Sequence, residues 1–404
     1  MKKEALVSVV IPAYNQSAYL TTAVESVLNQ TYKNFEVIVV DDGSTDDTPS
    51  VVDKFSEEVR YIRQENQGLA GARNTGIRNA RGHLIGLLDA DDQWLPHYLE
   101  RMTDLAMEDP RAAIYYCSAQ AMDKDGKRLP QILGRQTRQS GEMLDVLLRA
   151  NFLIPSTVLM NYAVIKSEEY FDPVFRRLQD RELWIRLLRQ GYYFRGLSEI
   201  LVNYRIHEES LSVDVQGGQQ AAMALVVKHF GIDDGKPHSW TQQKRRAYGG
   251  TYRYHVLTSV RRRGDWQSGA HYLWKALESD PALARDLGTF YELALGTQPM
   301  GYRGSTERVD IESNAGKIMN LLGETFQSDH VGIQSLKRQV YGTASYAIGL
   351  CAYNMGQLAL SRKYLGLAGK YRPELWFSSR LSSNWIKSWL GNRLLAKLRR
   401  RTQP

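Results

Sequence analysis

The stretch His83-Leu84-Ile85-Gly86-Leu87-Leu88-Asp89-Ala90-Asp91-Asp92 decides the fold of the first half of the chain. Its apolar part predicts a short buried strand, and its carboxylates follow at the carboxyl end of that strand. Ligands of open parallel α/β sheets bind at this end of the strands. Neighbouring carboxylates repel one another unless a cation joins them, so Asp89 and Asp91 are candidates for one hard metal ion that also holds a diphosphate. The alternative is an acidic turn before a helix that begins near Pro96.

Strand and helix patterns alternate on the amino-terminal side of this stretch. Strands are predicted at 6–11, 35–40 and 59–62, and helices at 17–29, from Thr48, and at 69–80. Four strands that alternate with helices indicate an α/β fold with a doubly wound, mostly parallel sheet. A helix to Met107, a strand at 113–116 and a hairpin at Asp125-Gly126 are predicted to follow.

The second half of the chain is predicted to be an all-α domain of helical hairpins. Residues repeat there at an offset of 92, as in the pairs Tyr254/Tyr346, Gly264/Gly356 and Pro281/Pro373. Each unit has a helix, a glycine turn, a second helix and a closing proline, which resembles a tetratricopeptide-type hairpin. Two copies are few for a free-standing solenoid, so they are expected to pack on the first domain or on a divergent central unit. A loop is predicted near 296–304.

Length and charge suggest separate parts with separate partners. A chain of 404 residues can hold two or three domains, predicted here at 1–220, 221–375 and 376–404. Residues 1–220 hold 25 basic and 31 acidic residues, a net charge of −6, whereas residues 221–404 hold 27 and 13, a net charge of +14. Anionic lipid, an acidic polymer and nucleic acid would all suit the basic half, and charge alone does not choose among them.

Cysteine usage and hydropathy predict a cytoplasmic protein. The two cysteines, Cys117 and Cys351, have no metal-type spacing, which favours a reducing compartment. The apolar run at 6–11 is too short for a signal peptide, and no run of about eighteen apolar residues predicts a membrane span.

Six motifs in register resemble those of family 2 glycosyltransferases with the GT-A fold. They are Val9–Asn15, Val39–Ser44, Gln67–Asn74, Leu88–Asp92, Gln179–Trp184 and Tyr204–Ser212. The resemblance implies an inverting hexosyl- or hexosaminyltransferase that uses a nucleotide-sugar, expected to be UDP-linked, and Mg²⁺ or Mn²⁺. It covers about half of the chain and implies nothing specific about 221–404.

The expected acceptor is a lipid-linked or polymeric surface glycan, and no nucleic-acid partner is expected. Two alternatives stay open: a non-catalytic protein that only binds a nucleotide-sugar, and a helical scaffold in which the repeats matter more than the enzyme.

The first two motifs are expected to hold the base of the donor. Pro12 and Tyr14 follow the first strand and can wall the base with backbone and ring. Asp42 follows the second strand, and the resemblance assigns it to the ring N–H of uracil. The alternative for this loop is that Asp41, Gly43 and Ser44 merely make a turn.

The next two motifs are expected to hold the diphosphate. Arg73 is placed to contact the ribose–phosphate side of the donor, and its alternative role is a surface salt bridge. Asp91, supported by Asp89, is the best candidate for the metal ligand. Asp92 is expected to act on the donor side, either behind the metal ligands or as a further metal contact.

The last two motifs are expected to carry the base and a closing loop. Asp180 is the candidate general base for the acceptor hydroxyl; family members commonly have Glu-Asp where this chain has Gln179-Asp180. Its alternative role is the N-cap of a helix at 182–189. In the family such a later loop folds over the diphosphate, which implies donor contacts for Arg205, His207 and Ser210.

The segment from residue 376 onward has a basic amphipathic character. Leu381, Trp385 and Trp389 form part of an apolar face, extended by Ile386, Leu390 and Leu394. Residues 376–404 contain seven basic residues and no acidic residue. Such a helix suits an anionic membrane surface at the inner face of the membrane. A terminal helix docked on the repeats, with a solvated basic tail, is the equal alternative.

Overall fold

The chain forms two compact units, Met1–His229 and Phe230–Pro404. A computed structural model describes residues 5–134, 140–165, 170–207, 215–296, 309–327, 331–377 and 379–389. The predicted boundary between residues 220 and 221 falls within a helix that spans Val215–Phe230. The division into 1–220, 221–375 and 376–404 stays a prediction.

In the described part of the first unit, nine strands form one sheet. The strands are β1 Val7–Ala13, β2 Phe35–Asp41, β3 Val59–Arg63, β4 Leu84–Leu87, β5 Gln93–Trp94, β6 Ile114–Met122, β7 Arg128–Leu133, β8 Val158–Asn161 and β9 Phe194–Arg205. The helices that begin in this unit are α1 Ser17–Leu28, α2 Thr48–Asp53, α3 Gly68–Asn79, α4 Tyr98–Glu108, α5 Ser140–Arg149, α6 Tyr162–Ile165, α7 Gln179–Arg189 and α8 Val215–Phe230. The predicted early strands and helices are all present, and the predicted turn Asp125-Gly126 joins β6 to β7.

The sheet has the order β3-β2-β1-β4-β8-β6-β9-β5, with β7 paired to β6. Strands β1 to β4, β6 and β9 run in one direction, and β5, β7 and β8 run the opposite way. The chain builds β1, β2 and β3 outward and then returns to place β4 on the other side of β1. This reversal creates the crevice at which ligands of such sheets bind.

Helices cover both faces of the sheet, as a doubly wound fold requires. Val9 and Ile11 point to the face that carries α1 and α4, where Leu20 and Met102 share their core. Helix α3 covers the other face, and a Cβ at Gly76 would lie 2.3 Å from Val10 Cγ1. Glycine therefore permits the close approach of α3 to β1. The predicted fold class, a GT-A-type α/β sheet followed by an all-α region, is confirmed.

The second unit is helical throughout its described part. Its helices are α9 Gln242–Arg263, α10 Trp266–Ser279, α11 Leu287–Ala294, α12 Ile311–Thr325, α13 Lys337–Asn354, α14 Leu358–Tyr371 and α15 Ser379–Lys387. The 92-residue repeat corresponds to two hairpins, α9–α10 and α13–α14, turned by Gly264 and Gly356 at φ +68° and +75°. A 3-10 turn begins at Pro281 in the first and at Pro373 in the second. The tetratricopeptide-like assignment stays a prediction, and most of the loop predicted at 296–304 lies outside the described residues.

Two further features concern the cysteines and the hydropathy of the helices. Cys117 and Cys351 are buried thiols that are not joined in a disulfide. In the described part of the chain, every helix is too short or too polar to span a bilayer.

Candidate active site

The carboxyl ends of β1, β2 and β4 lie side by side in the sheet. Ala13 is paired with Asp41 and Val10 with Leu87, so the loops that follow these strands leave the same edge. These loops carry Tyr14, Asp42 and Asp89. The structure therefore brings the first, second and fourth motifs together at the switch point of the sheet.

Asn15 fixes the loop after β1 against the loop after β2. It has a left-handed backbone with φ 53°, a conformation that Asn tolerates better than most residues. Its backbone N–H donates to Ser44 Oγ at 3.0 Å, and its Oδ1 accepts from the Thr45 N–H at 2.8 Å. Tyr14 is 47% exposed, so its ring is open to a ligand, whereas Pro12 is buried within β1.

Asp41 makes the turn that the sequence offered as an alternative for this loop. Its Oδ1 accepts from the Ser44 N–H at 2.7 Å, and Gly43 adopts φ +82°. The turn is thus explained without Asp42, the neighbouring carboxylate.

Asp42 is held from the opposite side, by the segment that leads into α3. Its Oδ1 accepts from Gln64 Nε2 at 2.7 Å and from the Gln67 N–H at 2.9 Å. Both of these bonds end on the same oxygen, which leaves Oδ2 outside them. The residue is 2% exposed, so the carboxylate has a fixed orientation.

Arg73 lies beneath the acidic loop. It is 1% exposed, and its Nη2 donates to Asp89 Oδ1 at 2.5 Å. Its guanidinium carbon is 5.3 Å from the centre of the Phe171 ring. Within the described residues, Nε and Nη1 of Arg73 are buried without a hydrogen-bond partner. The alternative of a surface salt bridge is therefore wrong, since the arginine of this ion pair is buried.

Asp89 is at the centre of an acidic cluster. Burial raises the pKa of its carboxyl group; the Arg73 guanidinium lowers this pKa, and the charges of Asp91 and Asp180 raise it further. Asp180 therefore belongs to the same electrostatic cluster as the acidic loop, although 91 positions separate it from Asp89 in the sequence. The cluster favours binding of a compensating positive charge.

Asp91 faces the end of the last strand. His207 Nε2 lies 2.9 Å from Asp91 Oδ2, and the imidazole ring centre is 5.4 Å from that of Tyr19. The side chains of Asp91 and Asp89 are 22% and 24% exposed, so both are open to solvent on one side. The structure thus places His207 beside a predicted metal ligand.

Asp92 is fully buried and joins three segments of the sheet. Its Oδ2 accepts from Ser156 Oγ at 2.5 Å, and its Oδ1 accepts from the Arg205 N–H at 2.8 Å. Burial raises its pKa, and the charges of Asp91 and Asp89 add to the rise. Through these contacts Asp92 anchors the acidic loop to Ser156 and to the end of β9. A donor contact by Asp92 stays a prediction.

Asp180 lies in the first turn of α7. The N-cap of this helix is Leu178, so the alternative in which Asp180 is the N-cap is wrong. Leu178 has a left-handed backbone with φ 58°, a strained conformation for leucine that is found mostly at functional sites. Asn151 Nδ2 donates to Asp180 Oδ2 at 2.8 Å. Buried Gln179 precedes Asp180.

Arg205 is 4% exposed and is bound mainly to the protein backbone. Its Nε donates to the Asp91 carbonyl at 2.8 Å and its Nη1 to the Lys124 carbonyl at 2.9 Å. Its guanidinium carbon lies 4.6 Å from the centre of the Tyr19 ring. Ser210, the other predicted donor contact in this motif, lies outside the described residues.

The acidic cluster fits a cation that arrives with a diphosphate. Across the described ranges, no three His, Cys, Asp or Glu side chains converge as a complete metal cage. Arg73 contacts one oxygen of Asp89, and His207 contacts one oxygen of Asp91, which leaves the second oxygen of each carboxylate outside these contacts. Mg²⁺ is often held by one or two carboxylates together with substrate phosphates. Two carboxylates at the open edge of the sheet suit that mode of binding.

Two site residues were not predicted from the sequence. Ser156 accepts the Asp89 N–H at 3.1 Å and donates to Asp92, so it fixes the acidic loop. Asn151 positions Asp180. Pro155 signals a turn next to Ser156. No local sequence pattern indicates that Ser156 contacts Asp92 or that Asn151 contacts Asp180.

Comparison with known proteins gives a family match. The model of the family described as Glycosyl transferase family 2 matches residues 8–167. The chain is 32% identical over 213 residues to the putative teichuronic acid biosynthesis glycosyltransferase TuaG of Bacillus subtilis, covering 51% of this chain and 81% of that protein.

The comparisons also include a second relative and a solved structure. An uncharacterized glycosyltransferase of Rickettsia typhi is 33% identical over 208 residues, which cover 50% of this chain and 64% of that protein. This chain thus spans less than two thirds of the length of that relative. The crystal structure of S. aureus TarS 1–349 in complex with UDP is 17% identical, with a TM-score of 0.46 and 91% of each chain covered.

Proposed function

Since the chain belongs to glycosyltransferase family 2, we propose that it transfers a sugar from a UDP-linked donor to a hydroxyl group of a glycan, with inversion at the anomeric carbon. This proposal rests on the position of Asp89 and Asp91 after β4, at the switch point of the sheet, and on the charge of Asp180, which acts on Asp89 and raises its pKa. Such a cluster can hold the leaving diphosphate through a cation and also remove a proton from the acceptor.

Asp42 and Tyr14 bind the uracil base in this proposal. The two hydrogen bonds to Asp42 Oδ1 hold the carboxylate still, and Oδ2 accepts the N–H of the uracil ring. The exposed ring of Tyr14 stacks on the base, and the backbone at buried Pro12 forms the wall beside it. Because the Asn15 bonds join the two loops, base and carboxylate keep a fixed separation.

Asp91 and Asp89 hold Mg²⁺ or Mn²⁺ together with the donor diphosphate. When bound, the cation offsets the negative charge that develops on the leaving nucleoside diphosphate. Arg73 holds Asp89 in place through its 2.5 Å contact, and His207 does the same for Asp91 at 2.9 Å. We expect His207 to turn toward the diphosphate when the donor binds. We expect Arg205 to hold the acidic loop in place through its hydrogen bond to the Asp91 carbonyl.

Asp180 acts as the general base. Its Oδ2 is held by the Asn151 amide, and its other oxygen takes the proton of the acceptor hydroxyl as that hydroxyl attacks the anomeric carbon. Attack on the face opposite the leaving diphosphate inverts the configuration. Gln179 cannot share the proton as a second carboxylate would, so Asp180 carries this step alone.

The acceptor is a lipid-linked or polymeric surface glycan, and the enzyme acts in the cytoplasm at the inner face of the membrane. Support for a glycan comes from the printed name of TuaG, which refers to teichuronic acid biosynthesis. The net charge of +14 in residues 221–404 suits an acidic polymer or an anionic lipid carrier.

A donor screen tests this function. Purified protein is incubated with Mn²⁺ and a panel of nucleotide-sugars, and release of the nucleoside diphosphate is followed. We expect release from one UDP-sugar, and an inverted anomeric configuration in the glycoside product by NMR. Binding of a nucleotide-sugar without release under all acceptor conditions would favour the non-catalytic alternative, and a retained configuration would exclude the inverting mechanism.

A further inference from the structure

Four large apolar side chains are exposed within a short segment near the carboxyl end of the described chain. Phe377 is 92% exposed, Trp389 64%, Ile386 59% and Trp376 36%. We name these four residues the C-terminal apolar face. Large apolar side chains that lie together at the surface mark interaction sites, because scattered ones are common but clusters are costly.

The face is fixed to the helical unit by a row of tryptophans. The ring centres of Trp376 and Trp385 are 5.3 Å apart, and those of Trp385 and Trp389 are 5.8 Å apart. A Cβ at Gly369 of α14 would lie 2.1 Å from Trp376 Nε1, so the first indole sits directly on that helix. Trp376 therefore packs on α14, and Trp385 and Trp389 continue the row of rings from it.

Helix α15 has one buried side and one exposed side. Leu381 is fully buried in a core with Tyr346 and Leu365, whereas Ile386 projects to solvent. The two alternatives for this segment thus apply to opposite sides of the same helix: it docks on the hairpins, and it still presents an apolar surface.

Arg362 of α14 contacts the C-terminal apolar face, and further basic residues lie on α14 and α15. The guanidinium carbon of Arg362 lies 4.8 Å from the centre of the Trp389 ring, and the same side chain donates to the Ser388 carbonyl. Lys363 and Lys387 are exposed. From residue 376 to 404 the sequence has seven basic residues and no acidic one. A partner with anionic groups next to an apolar phase would complement both features.

We propose that the C-terminal apolar face docks on an anionic membrane surface. Indole and phenyl rings favour the boundary between head groups and acyl chains, and lysines beside them meet the lipid phosphates. The attachment is reversible, since a few side chains insert to a shallow depth and nothing spans the bilayer. Docking goes beyond sugar transfer, because it depends on residues outside the candidate active site.

Co-sedimentation of the full chain with vesicles tests the proposal. We expect binding to vesicles of phosphatidylglycerol and phosphatidylcholine in equal parts, weak binding to phosphatidylcholine alone, and release at high salt. The triple variant Phe377→Ser, Ile386→Ser, Trp389→Ser should lower partitioning at least about tenfold. Ile232→Ser, which changes another exposed isoleucine (69%) in the same unit, is the matched control and should bind normally.

A second pair of variants separates charge from apolar contact. Lys363→Gln and Lys387→Gln should each weaken binding about fivefold, the effect of one cation near an anionic surface. Lys317→Gln removes an exposed lysine of α12 and should have no effect. Circular dichroism checks that the variants fold; if the triple variant does not, Phe377→Ser alone keeps the test.

Three results would overturn the proposal. They are no binding of the parent protein to anionic vesicles, equal binding to both kinds of vesicle, and normal binding by the triple variant. Self-association of the parent that the triple variant abolishes, without vesicle binding, would instead assign the face to contacts between copies of the chain.

Discussion

Removing the Arg73 guanidinium should lower the free energy of unfolding, because the carboxylate of Asp89 then loses its partner cation. In Arg73→Met, the buried arginine is replaced by an apolar side chain of similar length, and Asp89 loses the contact at 2.5 Å. Breaking one partner of a buried ion pair costs about 3–5 kcal/mol. Because the Asp89 side chain is 24% exposed, water can solvate part of the remaining charge. We therefore expect a loss of about 3 kcal/mol in the free energy of unfolding, near the lower end of that range.

The loss of unfolding free energy in Arg73→Met should depend on pH. Burial already raises the pKa of Asp89 above its unfolded value, and removal of the arginine raises this pKa further. A carboxyl group with a raised folded pKa destabilises the protein while it is ionised, and this cost disappears as the pH falls and the group takes up a proton. The difference between the variant and the parent should thus be largest near neutral pH and shrink in mild acid.

Urea denaturation followed by circular dichroism and tryptophan fluorescence measures the effect. The control is the double variant Arg73→Met, Asp89→Asn, in which neither partner is charged. It should recover most of the lost stability, because replacing both members of a buried pair is nearly neutral. A single variant as stable as the parent, or a double variant no better than the single one, would refute the account of this ion pair.

Three further predictions concern the metal site, a helix start and a packing contact. Asp91→Ala should abolish transfer and remove the Mn²⁺-dependent part of UDP affinity in calorimetry; an unchanged dependence on Mn²⁺ would take the metal role from this residue. Burial alone would raise the pKa of Asp46, but hydrogen bonds from Thr48 and Ser17 outweigh it and lower the pKa to about 2. Asp46→Asn should cost about 0.5–1.5 kcal/mol at neutral pH, because an amide has one acceptor oxygen for the two backbone N–H groups that the carboxylate accepts, and the difference should shrink as pH falls toward 2; an equal loss at all pH values would contradict this. Gly76→Ala should cost about 1–3 kcal/mol, because the new methyl group would overlap Val10, whereas Gly316→Ala, with open space around it, should not destabilise; equal midpoints in urea for both would argue against tight packing of α3 on β1.

The first four strands could be predicted because each is a local apolar run. Strands β5, β8 and β9 were not predicted, since their stability comes from distant partners. Gln93 pairs with Asn203, and β8 lies between β4 and β6. In β9, Arg195 and Gly196 interrupt the apolar pattern. The interruption has a structural reason, because a Cβ at Gly196 would lie 2.3 Å from Tyr116 Cζ.

The candidate site was predictable in its acidic residues and less so in their partners. Asp42, Asp89 and Asp91 follow strands that the sequence indicates, so their meeting at one edge follows from a parallel sheet. The contacts of Ser156 with Asp92 and of Asn151 with Asp180 join residues 64 and 29 positions apart. Hydrogen bonds over such separations have no periodicity that one sequence could reveal.

The comparison of Asp180→Asn with the parent protein tests the central claim most directly. Donor affinity, measured by calorimetry with Mn²⁺, should stay close to that of the parent, because the base does not hold the nucleotide. Turnover should fall by about 10²- to 10⁴-fold, the loss expected when a general base is removed. Asp53→Asn, which removes an exposed carboxylate at the end of α2, should leave both quantities unchanged. Turnover within a few-fold of the parent, or a loss of donor binding together with turnover, would contradict the assignment of Asp180 as the base.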